Sequence, residues 1–194
     1  MSGHNKWSKI KHKKAAIDAK KSKVFSMYAK MITVESRRAR GDKSDPGLVK
    51  AIERARGVNM PNDNIERAVA RGSGSGGAAL EEVIYEAYGP GGAALIIEGI
   101  TDNKNRTTPE IKHLLAAHGG NLGAQGSTLW AFAKNESGDW QAKVSAPINQ
   151  TDQEKLADLI EVLEEHDDIK SITANTDLWL LLVLIRVTTG WVSR

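Results

Sequence analysis

Apolar positions in the first third of the chain repeat at helical intervals. Val24, Tyr28, Met31 and Ile32 fall at i, i+4, i+7 and i+8, one stripe on a helix that Gly41 would stop. In "DPGLVKAIERA", Asp45 offers an N-cap, Pro46 suits the first helical position, and Leu48, Ile52 and Ala55 share a side. In "MPNDNIERAVARG", Pro61 opens a third helix, Ile65, Ala68 and Val69 form its apolar side, and Gly72 ends it. Three short helices of this kind predict a small bundle.

Further on, helical stripes alternate with short β-type runs. "VIYEAYG" (83–89) and "AALIIEGIT" (93–101) read as strands joined by a Gly-Pro-Gly-Gly turn. "TTPEIKHLLAAHGG" is a helix with Ile111, Leu114, Leu115 and His118 on one face, Thr107 and Glu110 at its start and Gly119 as its stop. "STLWAFA" and "WQAKVSAPI" read as a second strand pair around "KNESGD". "TDQEKLADLIEVLEEH" is the clearest helix, with Thr151 and Glu154 in a capping-box pattern and Leu156, Leu159, Ile160 and Leu163 inward. "IKSITAN" is a last strand. The order ββαββαβ predicts an α+β domain close to ferredoxin-like, with an antiparallel or mixed sheet and helices on one face.

These patterns divide the chain into a helical domain (1–72), a flexible Gly/Ser linker (73–79), an α+β domain (80–177) and an apolar tail (178–194). The tail, "LWLLLVLIRVTTGWVSR", has neither strand alternation nor a polar helical face. A buried strand, an exposed oligomerisation surface and sequence foreign to the fold all remain open for it. Its apolar run falls far short of the ~20 residues of a spanning helix, and no apolar core follows the basic N-terminus as in a secretory signal. We expect a cytoplasmic protein with no membrane partner.

Charge sharpens this division. The net charge of +3 conceals 18 Lys/Arg against 7 Asp/Glu in residues 1–75 and 9 against 17 in residues 76–194. The front domain is thus expected to meet a polyanion, leaving the acidic domain for a protein partner. The cations concentrate at Lys6, Lys9, Lys11, Lys13, Lys14, Lys20, Lys21 and Lys23, with Trp7 and His12 among them. A phosphate backbone requires such a density, and an indole among the lysines offers a base a stacking face. A solvated face with Trp7 and Ile10 packed on the bundle is the bland alternative.

Other chemistry is sparse. There is no Cys, so disulfides, thiol nucleophiles and Cys-ligated metals are excluded. The five histidines lack metal-ligand spacing, no serine sits in a nucleophile elbow, and neither "YGPGGAA" nor "HGGNLGAQGS" matches a nucleotide fingerprint. Neither an enzyme nor a cofactor nor a metal is expected, and "EEHDD" reads as an acidic helix end. In "TDNKNRTTPE", Asn103, Asn105 and Arg106 beside a helix start form a second candidate anion site, against a reading as turn and cap residues alone.

Five stretches, "GHNKWSKIKHKKAAIDAKKSKVF", "NMPNDNIERAVARG", "YEAYGPGGAALIIE", "TDNKNRT" and "HGGNLGAQGS", resemble the YebC/PmpR family in content and order. Its mitochondrial relatives are translational activators of cytochrome c oxidase. The resemblance covers residues 3 to about 177 and implies a helical N-terminal domain, α+β domains and DNA-binding transcriptional regulation. Its alternative is translation, by binding ribosomal RNA. It also gives Asn103, Asn105 and Arg106 more weight than capping requires. Family members insert another α+β domain between "STLWAFA" and "TDQEKLADLIEVLEEHDDI". Here only a loop and a strand lie there, so the chain resembles a short form, and its apolar end departs from the family's tail.

Overall fold

The computed structural model describes residues 3–74 and 79–176, and for residues 3–17 the backbone alone. The tail from Leu178 and most of the Gly/Ser stretch lie outside the described residues. Two compact units divide between Leu80 and Glu81.

The first unit is all helix: α1 (Gly3–Arg38), α2 (Pro46–Gly57) and α3 (Asn62–Ser73). The lysine-rich stretch continues without a break into the predicted first helix, giving 36 residues, about 54 Å at 1.5 Å per residue. Ala and Lys are good helix formers, which explains why the backbone does not separate there into a tail. The expected apolar stripe needs one correction, since Val24 is 40% exposed while Ile32 is fully buried. Asp45 caps α2 as expected, accepting from the N–H groups of Gly47 and Leu48 at 2.9 and 3.1 Å. Ile65, Ala68 and Val69 bury the inward side of α3 against Ile32, Leu48 and Ala55.

The crossing of α1 over α3 depends on small residues. The Ser36 hydroxyl donates to the Val69 carbonyl at 2.8 Å, and the Thr33 hydroxyl lies 2.7 Å from the Ala29 carbonyl and 3.2 Å from that of Ala68. Gly72, expected to end α3, lies buried inside it instead. A Cβ there would stand 2.5 Å from the Thr33 carbonyl oxygen, so the residue is glycine because another backbone passes too close for a side chain.

In the second unit β1 (Glu81–Tyr88) and β2 (Ala94–Thr101) form the predicted hairpin, joined by a 3-10 turn at Pro90–Gly92. They are followed by α4 (Lys104–Ala117), β3 (Asn121–Leu122), β4 (Phe132–Lys134), β5 (Trp140–Ala142), α5 (Gln150–Glu164) and β6 (Ile169–Ala174). The main sheet runs β3-β1-β2-β6, every pair antiparallel, with the hairpin in its centre. β3 is a strand in a segment read as a turn. The second predicted strand pair forms its own small sheet, β4 with β5, outside the main one.

Both faces of the hairpin are covered, so its strands are apolar runs without clean alternation. Val83, Tyr85, Ala87, Leu95 and Ile97 face Ile111 and Leu115 of α4 and Leu156, Leu159 and Leu163 of α5. Each of these fully buried leucines is worth about 1.5–3 kcal/mol relative to exposure. Ala94 and Ile96 on the other face meet Ala131 and Phe132. Two helix starts differ from expectation: Asn103 rather than Thr107 caps α4, and Asn149 rather than Thr151 caps α5, each accepting from the N–H three residues on.

Candidate nucleic-acid interface

The ten basic and aromatic candidates at the front of the chain all lie on α1. Lys6, Trp7, Lys9, Lys11, His12, Lys13 and Lys14 belong to the turns whose backbone alone is described. Their positions are nonetheless ordered by the helix. Lys6, Lys9, Lys13 and Lys20 are spaced 3, 4 and 7 residues apart, intervals that return to one side of an α-helix. Lys20 and Lys21 are exposed and Lys23 is half-buried. The Lys21 ammonium stands 5.5 Å from the centre of the Phe25 ring, one turn on. Sequence reasoning did not single out Phe25 as part of this surface.

Two more cations of this unit face solvent on α3. Arg67 donates from Nε to the Asp63 carbonyl at 3.1 Å and from Nη2 to the Asn64 amide oxygen. Arg71, one turn on, is also exposed, and neither guanidinium has a carboxylate partner among the described residues. This unit therefore presents open positive charge on two helices.

The second candidate cluster, Asn103, Asn105 and Arg106, sits where β2 runs into α4. Asn103 spends its side-chain oxygen on the Arg106 N–H at 3.2 Å, the cap of the helix, while Asn105 is exposed. Arg106 donates from Nη2 to Oδ2 of Asp168 at 2.7 Å and lies 3.1 Å from Asp102 and 3.8 Å from Glu110. The hydrogen bond and charge of Asp168, against a smaller desolvation penalty, raise the guanidinium pKa, with Asp102 and Glu110 adding to the rise. Three carboxylates thus already surround the one guanidinium of the cluster.

Asp168, which nothing in the run "EEHDD" distinguishes from its neighbours, is the centre of that network. It is 3% exposed and accepts a second bond from the Thr107 hydroxyl at 2.7 Å. Thr107 in turn lies 2.8 Å from the Thr101 hydroxyl, which accepts the Asn103 N–H at 2.9 Å. The Asp168 carbonyl accepts from Ile100, and its N–H donates to Nδ1 of His166, whose Nε2 reaches Glu110 at 3.1 Å. Asp168, at the entry to β6, is therefore tied to the start of α4 by its carboxylate and to the end of β2 by its backbone carbonyl.

A second buried carboxylate, also missed, organises the glycine-rich loop after β3. Glu86 is 6% exposed and accepts from the backbone N–H groups of Gly126, Thr128 and Leu129 and from the Thr128 hydroxyl. Burial pushes its pKa up, but the bonds from Thr128, Gly126 and Leu129 together outweigh that and leave it below the ordinary range. An acidic residue inside the apolar run "VIYEAY" was the available signal. Among the described residues no cluster of His, Asp and Glu could hold a metal, and no helix is long and apolar enough to cross a membrane.

Comparison with known proteins adds a lineage to this geometry. Residues 5–75 match the TACO1/YebC protein N-terminal domain, and residues 80–137 match the TACO1/YebC second and third domain. The chain is 37% identical to a "Probable transcriptional regulatory protein" of Dictyoglomus turgidum, over 92% of its own length and 96% of the relative's. A protein of the same description from Thermoanaerobacter pseudethanolicus is 53% identical over 136 residues, 69% of this chain but only 55% of the relative. The crystal structure of a conserved hypothetical protein from Aquifex aeolicus superposes with a TM-score of 0.76 at 30% identity, covering 83% of this chain and 92% of that one. The alignment to the Dictyoglomus protein has 240 positions, more than the 194 residues of this chain can fill. That relative therefore carries a segment this chain lacks, as expected of a short form.

Proposed function

This chain belongs to the TACO1/YebC family, and from that premise we propose that it is a nucleic-acid-binding regulator of gene expression that acts as a transcriptional regulator on DNA. The observation that carries the reading is the placement of the lysine run on one continuous helix, where Lys6, Lys9, Lys13 and Lys20 repeat on one side. A rigid row of cations follows a phosphate backbone and releases a counterion for each phosphate it neutralises. The names of the relatives, probable transcriptional regulatory proteins, support transcription as the step regulated. Asn103 and Arg106 serve in this reading to join β2, α4 and β6 rather than to bind an anion, because Arg106 is already ringed by carboxylates, and exposed Asn105 has no role in that join. The acidic unit then contacts a protein, and no cofactor is required.

A second reading, translational regulation through RNA, is favoured by an open groove between α1 and α3 of a size to admit an unpaired base. One titration tests the charge reading shared by both. Binding of a 30-nucleotide DNA duplex and of a single-stranded RNA is followed by anisotropy across salt concentrations, for the native chain and for Lys6→Gln, Lys9→Gln, Lys13→Gln and Lys20→Gln combined. The expected result is a salt slope shallower by roughly 3 to 4 in the variant, at about 0.7–0.9 per lost contact. An unchanged slope sinks the assignment to α1. Tighter binding of the duplex supports transcription, and tighter binding of the RNA supports translation.

A further inference from the structure

The helical unit contains a groove of about 350 Å³ between α1 and α3. Its lining combines buried Met60 and Ala68 and half-buried Phe25 with exposed Ser26 of α1 and exposed Arg67 and Arg71 of α3. The volume is at the small end of the range for ligand clefts, roughly 300–1,000 Å³, enough for one planar group. Phe25 is only partly buried on the core, and the Lys21 ammonium near its ring shows that the ring already attracts a cation. The combination of one aromatic ring, a small apolar lining and two guanidiniums without carboxylate partners among the described residues suits a nucleotide. A base stacks on the ring, and the phosphates on either side of it meet Arg67 and Arg71. A base paired in a duplex cannot leave its stack to reach a groove floor without the cost of unpairing.

We propose that the α1–α3 groove is a binding site for one unpaired nucleotide of the strand held by α1, its base on Phe25 and its flanking phosphates on Arg67 and Arg71. This site rests on the nucleic-acid reading above and narrows it to nucleic acid with an exposed base, whether single-stranded RNA or melted DNA. Two energetic contributions separate in it. The ring contributes a salt-independent part, and the arginines contribute a salt-dependent one. Lys21, displaced from the ring face by the base, remains one turn away to pair with the next phosphate.

The test uses the full chain with single-stranded RNA and DNA oligonucleotides bearing one 5-iodouracil, and the matching duplexes. Phe25→Leu keeps an apolar side chain on α1 and removes the ring, whereas Phe25→Trp enlarges it. We expect Phe25→Leu to weaken single-strand binding about tenfold with an unchanged salt slope and only a small drop in melting temperature, and Phe25→Trp to restore the binding. Arg67→Gln with Arg71→Gln should lower the slope by about 1.4. Ultraviolet crosslinking should attach the iodouracil within peptides containing Phe25 or Met60. A crosslinked single-stranded RNA, a crosslinked single-stranded DNA, or both, supports the site and identifies the source of the nucleotide. Tight binding with native-like affinity in Phe25→Leu and crosslinks confined to residues 3–17 would overturn the groove while leaving the α1 grip intact. No binding of any oligonucleotide at low salt would overturn the groove together with the nucleic-acid reading it rests on.

Discussion

Arginine plays opposite parts in the two units. Arg106 of the α+β unit is held between Asp168, Asp102 and Glu110, so its charge is consumed in joining three elements. Arg67 of the helical unit touches a backbone carbonyl and a side-chain amide, Arg71 beside it is exposed, and neither meets a carboxylate among the described residues. The same contrast holds for the carboxylates. Asp168 and Glu86 are buried and multiply bonded, whereas Asp42 and Glu66 of the helical unit are exposed, bonded to Ser44 and Lys43. One unit uses these charges to join its own elements, and the other leaves them exposed. The presence of a basic residue in a conspicuous motif therefore says little until its partners are known.

The contrast can be broken at four points. The largest expected effect is Asp168→Asn, which puts an amide where Arg106 and Thr107 require a carboxylate. A loss of about 2–4 kcal/mol is expected, because two charge-assisted hydrogen bonds weaken, read by urea unfolding, with faster hydrogen exchange confined to β2, α4 and β6. Exchange unchanged in those elements would show that Asp168 is not their common tie. Next is Gly72→Ala, where the added methyl meets the Thr33 carbonyl. About 1–3 kcal/mol should be lost from the helical unit alone, so early exchange in α1 and α3 with a protected hairpin is the expected pattern.

Glu86→Gln comes third, at about 1–3 kcal/mol, because the amide offers a donor to groups that themselves donate. Its pH dependence fixes the sign. The folded pKa of Glu86 is depressed, so the carboxylate's stabilisation is complete above the ordinary Glu value of about 4.3 and is lost as pH falls through the lower folded value. The native chain should lose stability on acidification below about pH 5, and Glu86→Gln should flatten that curve. A variant curve parallel to the native one would remove Glu86 from the account. The smallest effect is Arg67→Gln with Arg71→Gln, expected to shift stability by no more than about 0.5 kcal/mol. A larger loss would mean that these arginines hold the unit together and would dissolve the contrast.

How much of this was readable in the sequence follows the distance over which each feature is decided. The stripe of α5, the inward side of α3, the cap at Asp45 and the β1–β2 hairpin depend on residues within a few positions of one another, and they stand where the pattern put them. The start of α4 does not, because Thr107 is drawn from a capping role into the Thr101–Asp168 chain by a residue 61 positions away. Gly72 carried a local meaning, helix end, and a tertiary one, close approach of α1, and only the second applies. The lysine run was legible as charge, but its continuity with the first helix was hidden because it lacks an apolar stripe of its own. The open groove beside Phe25 had no signature at all, since it requires two helices separated by more than thirty residues to be side by side.

The bonds that Glu86 makes to its loop span 40 to 43 residues of chain. Bringing such distant segments together costs loop-closure entropy before any of those bonds can form, and the carboxylate must already be fixed in a paired β1 to receive three N–H groups at once. The glycine-rich loop is therefore expected to form late in folding. Substitutions at Glu86 or Thr128 should act mainly on the unfolding rate and leave the folding rate nearly unchanged.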